Sequence, residues 1–230
     1  MFILAIDTSG QSGGITLAEV DVGSFRIIES APIAGGTFSA QLIPTLAALL
    51  SKHGFAVKDL GGFAAASGPG SFTGLRVGLS AIKGLAETLH KPIAVVSVLE
   101  ALASLTDRAG KIAAALDAGR KEVFFGIYEK PAEKSDRGLR RKREELLSEQ
   151  DFLQRLSAEA PALVITSDGA IAELASTSGS PIKAVTRPGS EVMARIGAQK
   201  LLAGKTVSVE TLDANYLRRS DAEIFFKGTR

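Results

Sequence analysis

Short apolar runs alternate along this chain with stretches in which apolar residues return every third or fourth position. The first run, Phe2-Ile-Leu-Ala-Ile-Asp7, is continuously apolar up to its acid and predicts a central strand. A small polar turn from Thr8 to Gly14 leads to strands over 15–20 and 24–33, a meander. Leu42, Ile43, Leu46, Leu49 and Leu50 predict the inner face of a helix over 39–53. A strand over 63–66 follows, then a helix over 71–90 whose stripe is Leu75, Leu79, Ile82, Ala86 and Leu89. A strand over 93–96 and a helix over 98–108 complete a βββαβαβα order, which fits a mixed sheet with helices on its faces.

At Gly110 the pattern restarts. An apolar strand over 111–117 ends in Asp117, a turn follows at 118–121, and a strand runs over 122–128. Both halves therefore open as strand, Asp, small turn, strand. A basic loop over 130–143 is expected next, then a helix at 148–156, a strand at 162–166, a helix at 169–176, a short strand at 182–185 and a helix at 190–203. The restart predicts two related lobes, residues 1–108 and 109–230.

A chain of 230 residues, 45% hydrophobic, has core material for one large or two small domains. No uncharged apolar run approaches the roughly 18 residues of a membrane span. The N-terminus lacks a basic region before its apolar run, so a strand is expected there, not a signal peptide, and a cytoplasmic location follows. With no cysteine, disulfides and thiolate metal sites are excluded. The net charge of +2 is concentrated: residues 130–145 hold seven basic and four acidic side chains. A uniformly basic nucleic-acid binder is not indicated. Arg140, Arg141, Lys142 and Arg143 are the candidate contacts to nucleic-acid phosphates, against the plainer reading of a solvated loop.

The segment Gly68-Pro-Gly-Ser-Phe-Thr-Gly-Leu-Arg-Val-Gly78 is dense in glycine just where a helix begins. Gly74, Gly78 and Gly84 each cost that helix about 1 kcal/mol relative to Ala. So many glycines imply that something comes close. The choices are an anion at the turn, a partner's backbone, or the chain's own sheet. Ser71 and Thr73 have no histidine near in sequence and no nucleophile-elbow pattern. The two histidines, His53 and His90, sit near the ends of separate predicted helices, where a cation is mildly favoured, and form no ligand pair.

Ile3-Leu-Ala-Ile-Asp-Thr-Ser9, the glycine segment and Asn215-Tyr-Leu-Arg218 together resemble the TsaB (YeaZ) family of bacterial tRNA-modification proteins. Val95-Val-Ser-Val-Leu-Glu-Ala101 and Leu116-Asp-Ala-Gly-Arg-Lys-Glu-Val123 extend the resemblance over nearly the full length. It implies an α/β fold of the ASKHA (actin-like ATPase, RNase H-like) type, with two lobes, each a mixed sheet flanked by helices. It also implies a part in forming N6-threonylcarbamoyladenosine next to the tRNA anticodon. In that family the related TsaD carries the metal and transfers the threonylcarbamoyl group. The TsaB member is its non-catalytic heterodimer partner, the ATPase TsaE joins the pair, and tRNA binds through the complex. Helices near Ser39 and Phe72 are expected to form the docking surface, with Gly68, Pro69, Gly70, Phe72, Gly74, Arg76, Gly78 and Ile82 at the contact. Without TsaD the same surface would make a homodimer.

The resemblance makes Asp7, Thr8, Ser9 and Asp117 remnants of a nucleotide cleft. The enzyme-class alternative is an ASKHA ATPase or small-molecule kinase in which Asp7 and Asp117 hold Mg²⁺. The catalytic relative has two histidines four apart after the strand corresponding to 93–96; Ser97-Val-Leu-Glu-Ala-Leu102 has none. No metal or cofactor is therefore expected, and a metallopeptidase label is disfavoured. Phe38 stands where the family often has histidine, which favours packing at that position, and the basic connection at 130–143 is longer than is usual for the family.

Overall fold

The computed structural model describes residues 1–132, 138–215 and 217. They fall into two compact units: 1–101 with 187–214, and the described residues of 102–186 with 215 and 217. The first unit begins with β1 (Phe2–Asp7), β2 (Ser12–Asp21) and β3 (Ser24–Ala34). Helix α1 (Phe38–Lys52), β4 (Leu60–Gly68), α2 (Phe72–Leu89) and β5 (Ile93–Ser97) follow, and α3 (Val98–Ser104) leads out of the unit. The strands lie in the order β3-β2-β1-β4-β5. Pairing is antiparallel within the meander and parallel from β1 through β4 to β5.

Alternation along the strands builds a layer on each face. Leu4, Ile6, Ile15, Leu17, Phe63 and Ala65 meet Leu42, Leu46, Leu49 and Leu50 of α1 and Leu79, Ile82 and Ala86 of α2. Each large aliphatic side chain so buried contributes roughly 1.5–3 kcal/mol. The residues between them, Ile3, Ala5 and Ala64, are equally buried, so β1 and β4 are covered on both sides. The cover on the second face is α6 (Ser190–Leu202), which lies against β4 at Gly197, where a Cβ would come within 2.3 Å of the Ala64 Cβ. A buried chain of hydroxyls, Ser30–Thr16–Ser190, ties β3 and β2 to the start of that helix at 2.9 and 2.8 Å. The expected boundary therefore needs correction. The second unit starts at Leu102, and residues 187–214 return to the first unit, because α6 has its apolar face on the first sheet.

The second unit contains β6 (Gly110–Gly119), β7 (Glu122–Lys130), β8 (Arg140–Ser148), α4 (Glu149–Glu159), β9 (Leu163–Thr166), α5 (Gly169–Ser176) and β10 (Ile182–Ala184). Its order, β10-β9-β6-β7-β8, is made of neighbours that pair as the meander and crossovers of the first sheet do. Phe125 and Phe152 meet edge to face at 5.7 Å in its core, with Val123, Leu156, Val164 and Ile171 around them.

Arg140, Arg141, Lys142 and Arg143, expected in a loop, begin the edge strand β8. Four consecutive cations show no apolar alternation, yet carboxylates of the chain receive three of them. Lys142 reaches Glu129 at 2.8 Å, Arg141 reaches Glu144 at 3.5 Å and Arg143 reaches Glu145 at 3.8 Å. Such a charged edge also discourages pairing with a foreign strand.

Candidate functional site

The turn after β1 and the helix α2 are built against each other. The Ser9 backbone N–H and hydroxyl both donate to Asp7 Oδ1, at 2.9 and 2.6 Å. The Thr8 hydroxyl donates to the Gly74 carbonyl at 2.7 Å, and the Ser71 N–H donates to the Ser9 carbonyl at 2.7 Å. The Ser71 hydroxyl caps α2 by accepting from the Gly74 N–H at 3.2 Å. Asp7 is only 2% exposed, and burial pushes its carboxyl above the ordinary value of 3.8. The hydrogen bonds from Ser9 and the charge of Arg187 act in the opposite direction.

The glycines answer to this turn. A Cβ at Gly70 would lie 2.2 Å from the Ser9 carbonyl oxygen, and one at Gly74 would lie 2.0 Å from that of Thr8. A Cβ at Gly78 would lie 2.3 Å from the Thr8 hydroxyl. Of the three choices that the sequence leaves open, the chain itself is what comes close at these positions, through the turn that leaves its own sheet. Gly74 and Gly78, both buried, are thus corrected from partner contacts to packing residues, while Gly70 packs on Ser9 and keeps an exposed side. Gly68 and Pro69 are buried, and Ile82 is wholly inside the core, so they too present nothing to a partner. Phe72 and Arg76 do reach the surface, with the Arg76 guanidinium 3.8 Å above the Phe72 ring.

The surface beside them is a groove of about 580 Å³ between α1 and α2, lined among others by Ile43, Phe72, Thr73, Arg76, Val77 and Ser80. Ile43 is 53% and Phe72 38% exposed. Ile43, expected on the inner face of α1, is therefore a correction. Leu42, Leu46, Leu49 and Leu50 fill that face, and Ile43 sits about 100° around the helix from Leu42. Helical spacing alone contains this signal.

Asp117, in the second unit, is exposed and accepts the Gly119 N–H at 2.7 Å, while Asp168 accepts the Asp117 N–H at 2.7 Å. Asp7 and Asp117 thus hold corresponding places in the two units but in unlike environments. His53 lies on Glu29 at 2.7 Å, an attachment of α1 to β3, and His90 is the left-handed cap of α2. Among the described residues no group of three or more His, Cys, Asp or Glu could hold a metal ion. The buried Glu144 carboxylate accepts from the Tyr128 hydroxyl and, at 2.5 Å, from the Asn215 amide, which anchors the start of the C-terminal motif. Tyr216 and Arg218 of that motif, and Arg137 of the basic run, lie outside the described residues.

Known proteins share this arrangement. The family model "TsaD: tRNA N6-adenosine threonylcarbamoyltransferase" matches residues 32–162. The tRNA threonylcarbamoyladenosine biosynthesis protein TsaB of Escherichia coli is 30% identical across 96% of both chains. The chain belongs to the TsaB family. The Bacillus subtilis TsaB is 38% identical over 56% of either chain, a match spanning little more than half of that protein. The solved structure of YeaZ from Pseudomonas aeruginosa superposes with a TM-score of 0.71 at 25% identity, covering 93% of this chain and all of that one. A second solved P. aeruginosa chain, described as similar to peptidase YEAZ, gives a TM-score of 0.73 at 26% identity over 94% of this chain and 99% of that one. The fold is of the ASKHA type, one mixed five-stranded sheet with helices in each lobe. Among the described residues no helix is long and apolar enough to cross a membrane.

Proposed function

We propose that this chain is the non-catalytic subunit that docks and activates TsaD in the formation of N6-threonylcarbamoyladenosine in tRNA. The observation that carries the reading is the apolar groove between α1 and α2, where Ile43 and Phe72 stand exposed side by side. Apolar surface of this kind marks interaction sites. Both helices lie within residues 32–162, the segment matched by the TsaD family model, so a TsaD partner would bring a related helix pair to the contact. The same face would join two copies of this chain when TsaD is absent, and TsaE would join the assembled pair. The strand-end groups support the reading from the other side. Asp7 Oδ1, the Ser9 N–H and hydroxyl, and the Thr8 hydroxyl are hydrogen-bonded within the turn and to α2. The subunit would then act by favouring one state of its partner, a coupling free energy and not bond chemistry.

The test is modification of tRNA by TsaD and TsaE in vitro, with and without this chain. Product should depend on the chain; equal product without it rejects the reading. Asp7→Asn belongs in the same assay. Asn keeps an oxygen for Ser9 and removes the buried charge, so product formation should be unchanged. The ATPase or kinase alternative expects a loss of at least about a hundredfold, because a Mg²⁺ ligand would be gone. Stability supplies a second readout. A carboxyl raised by burial holds a proton in the folded chain that the unfolded chain has released. Asp7 therefore makes stability fall as pH rises from 3.8 through its raised value, and Asp7→Asn should abolish that slope.

A tRNA contact through β8 is part of the same proposal, and its size follows from the ion pairs. With Arg141, Lys142 and Arg143 already facing carboxylates, a net of one or two phosphates is expected. Reversing the charge at Arg140 and Arg141 should reduce the slope of log affinity of the assembled complex for tRNA against log salt by about 1 to 2. An unchanged slope removes β8 from the tRNA surface.

A further inference from the structure

Four glycines lie in α2 or in the turn that enters it, and three are accounted for within the chain. Gly70, Gly74 and Gly78 lie against the turn after β1, where any side chain would collide. Gly84 differs. It is exposed, it lies well inside the helix, its φ is not left-handed, and a Cβ there would meet nothing within 4 Å. Its carbonyl accepts the Thr88 hydroxyl at 2.8 Å, so the backbone at this point is satisfied within the helix. Neither turn geometry nor internal packing calls for glycine here, and glycine is the weakest helix former after proline. Gly84 also has a definite direction. It stands one turn beyond Ser80, on the arc of α2 that carries Thr73 and Val77 beside the groove with Ile43 and Phe72.

We infer that Gly84 is the point of closest approach for a helix of the docked partner. This rests on the docking reading above and deepens it. A helix pair approaches to 8–10 Å between axes according to the side chains at the crossing, and a glycine there permits the near end of that range. The partner is thus a helix seated in the α1–α2 groove. Its apolar residues cover Ile43 and Phe72, and its backbone crosses α2 at Gly84. The requirement is steric, so the inference turns on size and not on polarity.

The probe is purified TsaD from the same genome, titrated against the full chain and three variants, with thermal melting of each chain alone. Gly84→Ala should raise Tm by about 2–4 °C through helix propensity while weakening TsaD binding about tenfold. Gly84→Leu should weaken binding a hundredfold or more with the chain still folded. Ile43→Glu is the reference, expected to weaken binding through the groove itself. If Ile43→Glu weakens binding and Gly84→Leu does not, the crossing point is wrong and the docking surface stands. If neither variant weakens binding, or the unaltered chain does not bind TsaD, both are overturned.

Discussion

Gly74→Ala should lower the melting temperature of the isolated chain by about 6–12 °C, although the same substitution at Gly84, further along the helix, raises it. The reason is geometric. The new methyl would stand 2.0 Å from the Thr8 carbonyl oxygen, a backbone atom at the end of β1, and cannot be relieved by a rotamer change. Overpacking of this kind costs about 1–3 kcal/mol or somewhat more. Displacing α2 also breaks the bond from the Thr8 hydroxyl to the Gly74 carbonyl, about 1 kcal/mol, and the cap between Ser71 and the Gly74 N–H, about 1 kcal/mol. Better helix propensity returns about 1 kcal/mol. The net of about 3 kcal/mol, at roughly 2–4 °C for each kcal/mol in a chain of this size, sets the expected shift. Melting followed by circular dichroism decides it. A Gly74→Ala chain as stable as the parent would mean that α2 does not lie on the turn after β1.

The second large effect is expected at the exposed groove between α1 and α2. Ile43→Glu combined with Phe72→Glu should weaken TsaD binding about a thousandfold and leave the isolated chain folded. Both side chains are exposed, so the cost to stability should stay within about 0.5 kcal/mol per site. The carboxylate introduced by Phe72→Glu would also lie four residues before Arg76, the favourable orientation for a helical ion pair, which offsets the lost stacking. In the complex each carboxylate would be desolvated in an apolar groove. Hot-spot changes of about 2 kcal/mol or more at each site combine to roughly a thousandfold at about 1.4 kcal/mol per decade. Calorimetric titration measures the affinity, and sedimentation of the chain alone reports whether the same face pairs two copies. Wild-type affinity in the double variant would move the partner to another surface.

Local pattern carries much of the fold. β1, α2 and α5 can be located from a continuous apolar run, a 3.6-residue stripe and turn residues, because each of those signals is confined to one element. β8 cannot. Arg140 to Arg143 look like solvent-exposed chain until β7 supplies a ladder and Glu129, Glu144 and Glu145 supply counter-charge. The home of α6 is hidden for a similar reason. Its apolar face is evident, but not the sheet on which it lies, which depends on Gly197 meeting Ala64 and Ser190 meeting Thr16, partners far apart in the chain.

The candidate site divides in the same way. The glycine-rich stretch and the helix pair beginning near Ser39 and Phe72 are evident from composition and spacing. Which glycines serve the fold is a tertiary matter, since the collisions at Gly70, Gly74 and Gly78 are all with Thr8 or Ser9, on a turn remote in sequence. The amino-acid sequence alone therefore determined the family, the order of elements and the presence of a closely approached helix. Only the packed structure decided which side of that helix lies against the turn after β1 and which is exposed. Helical spacing specifies an angle around one axis, whereas a close approach needs two backbones in place at once.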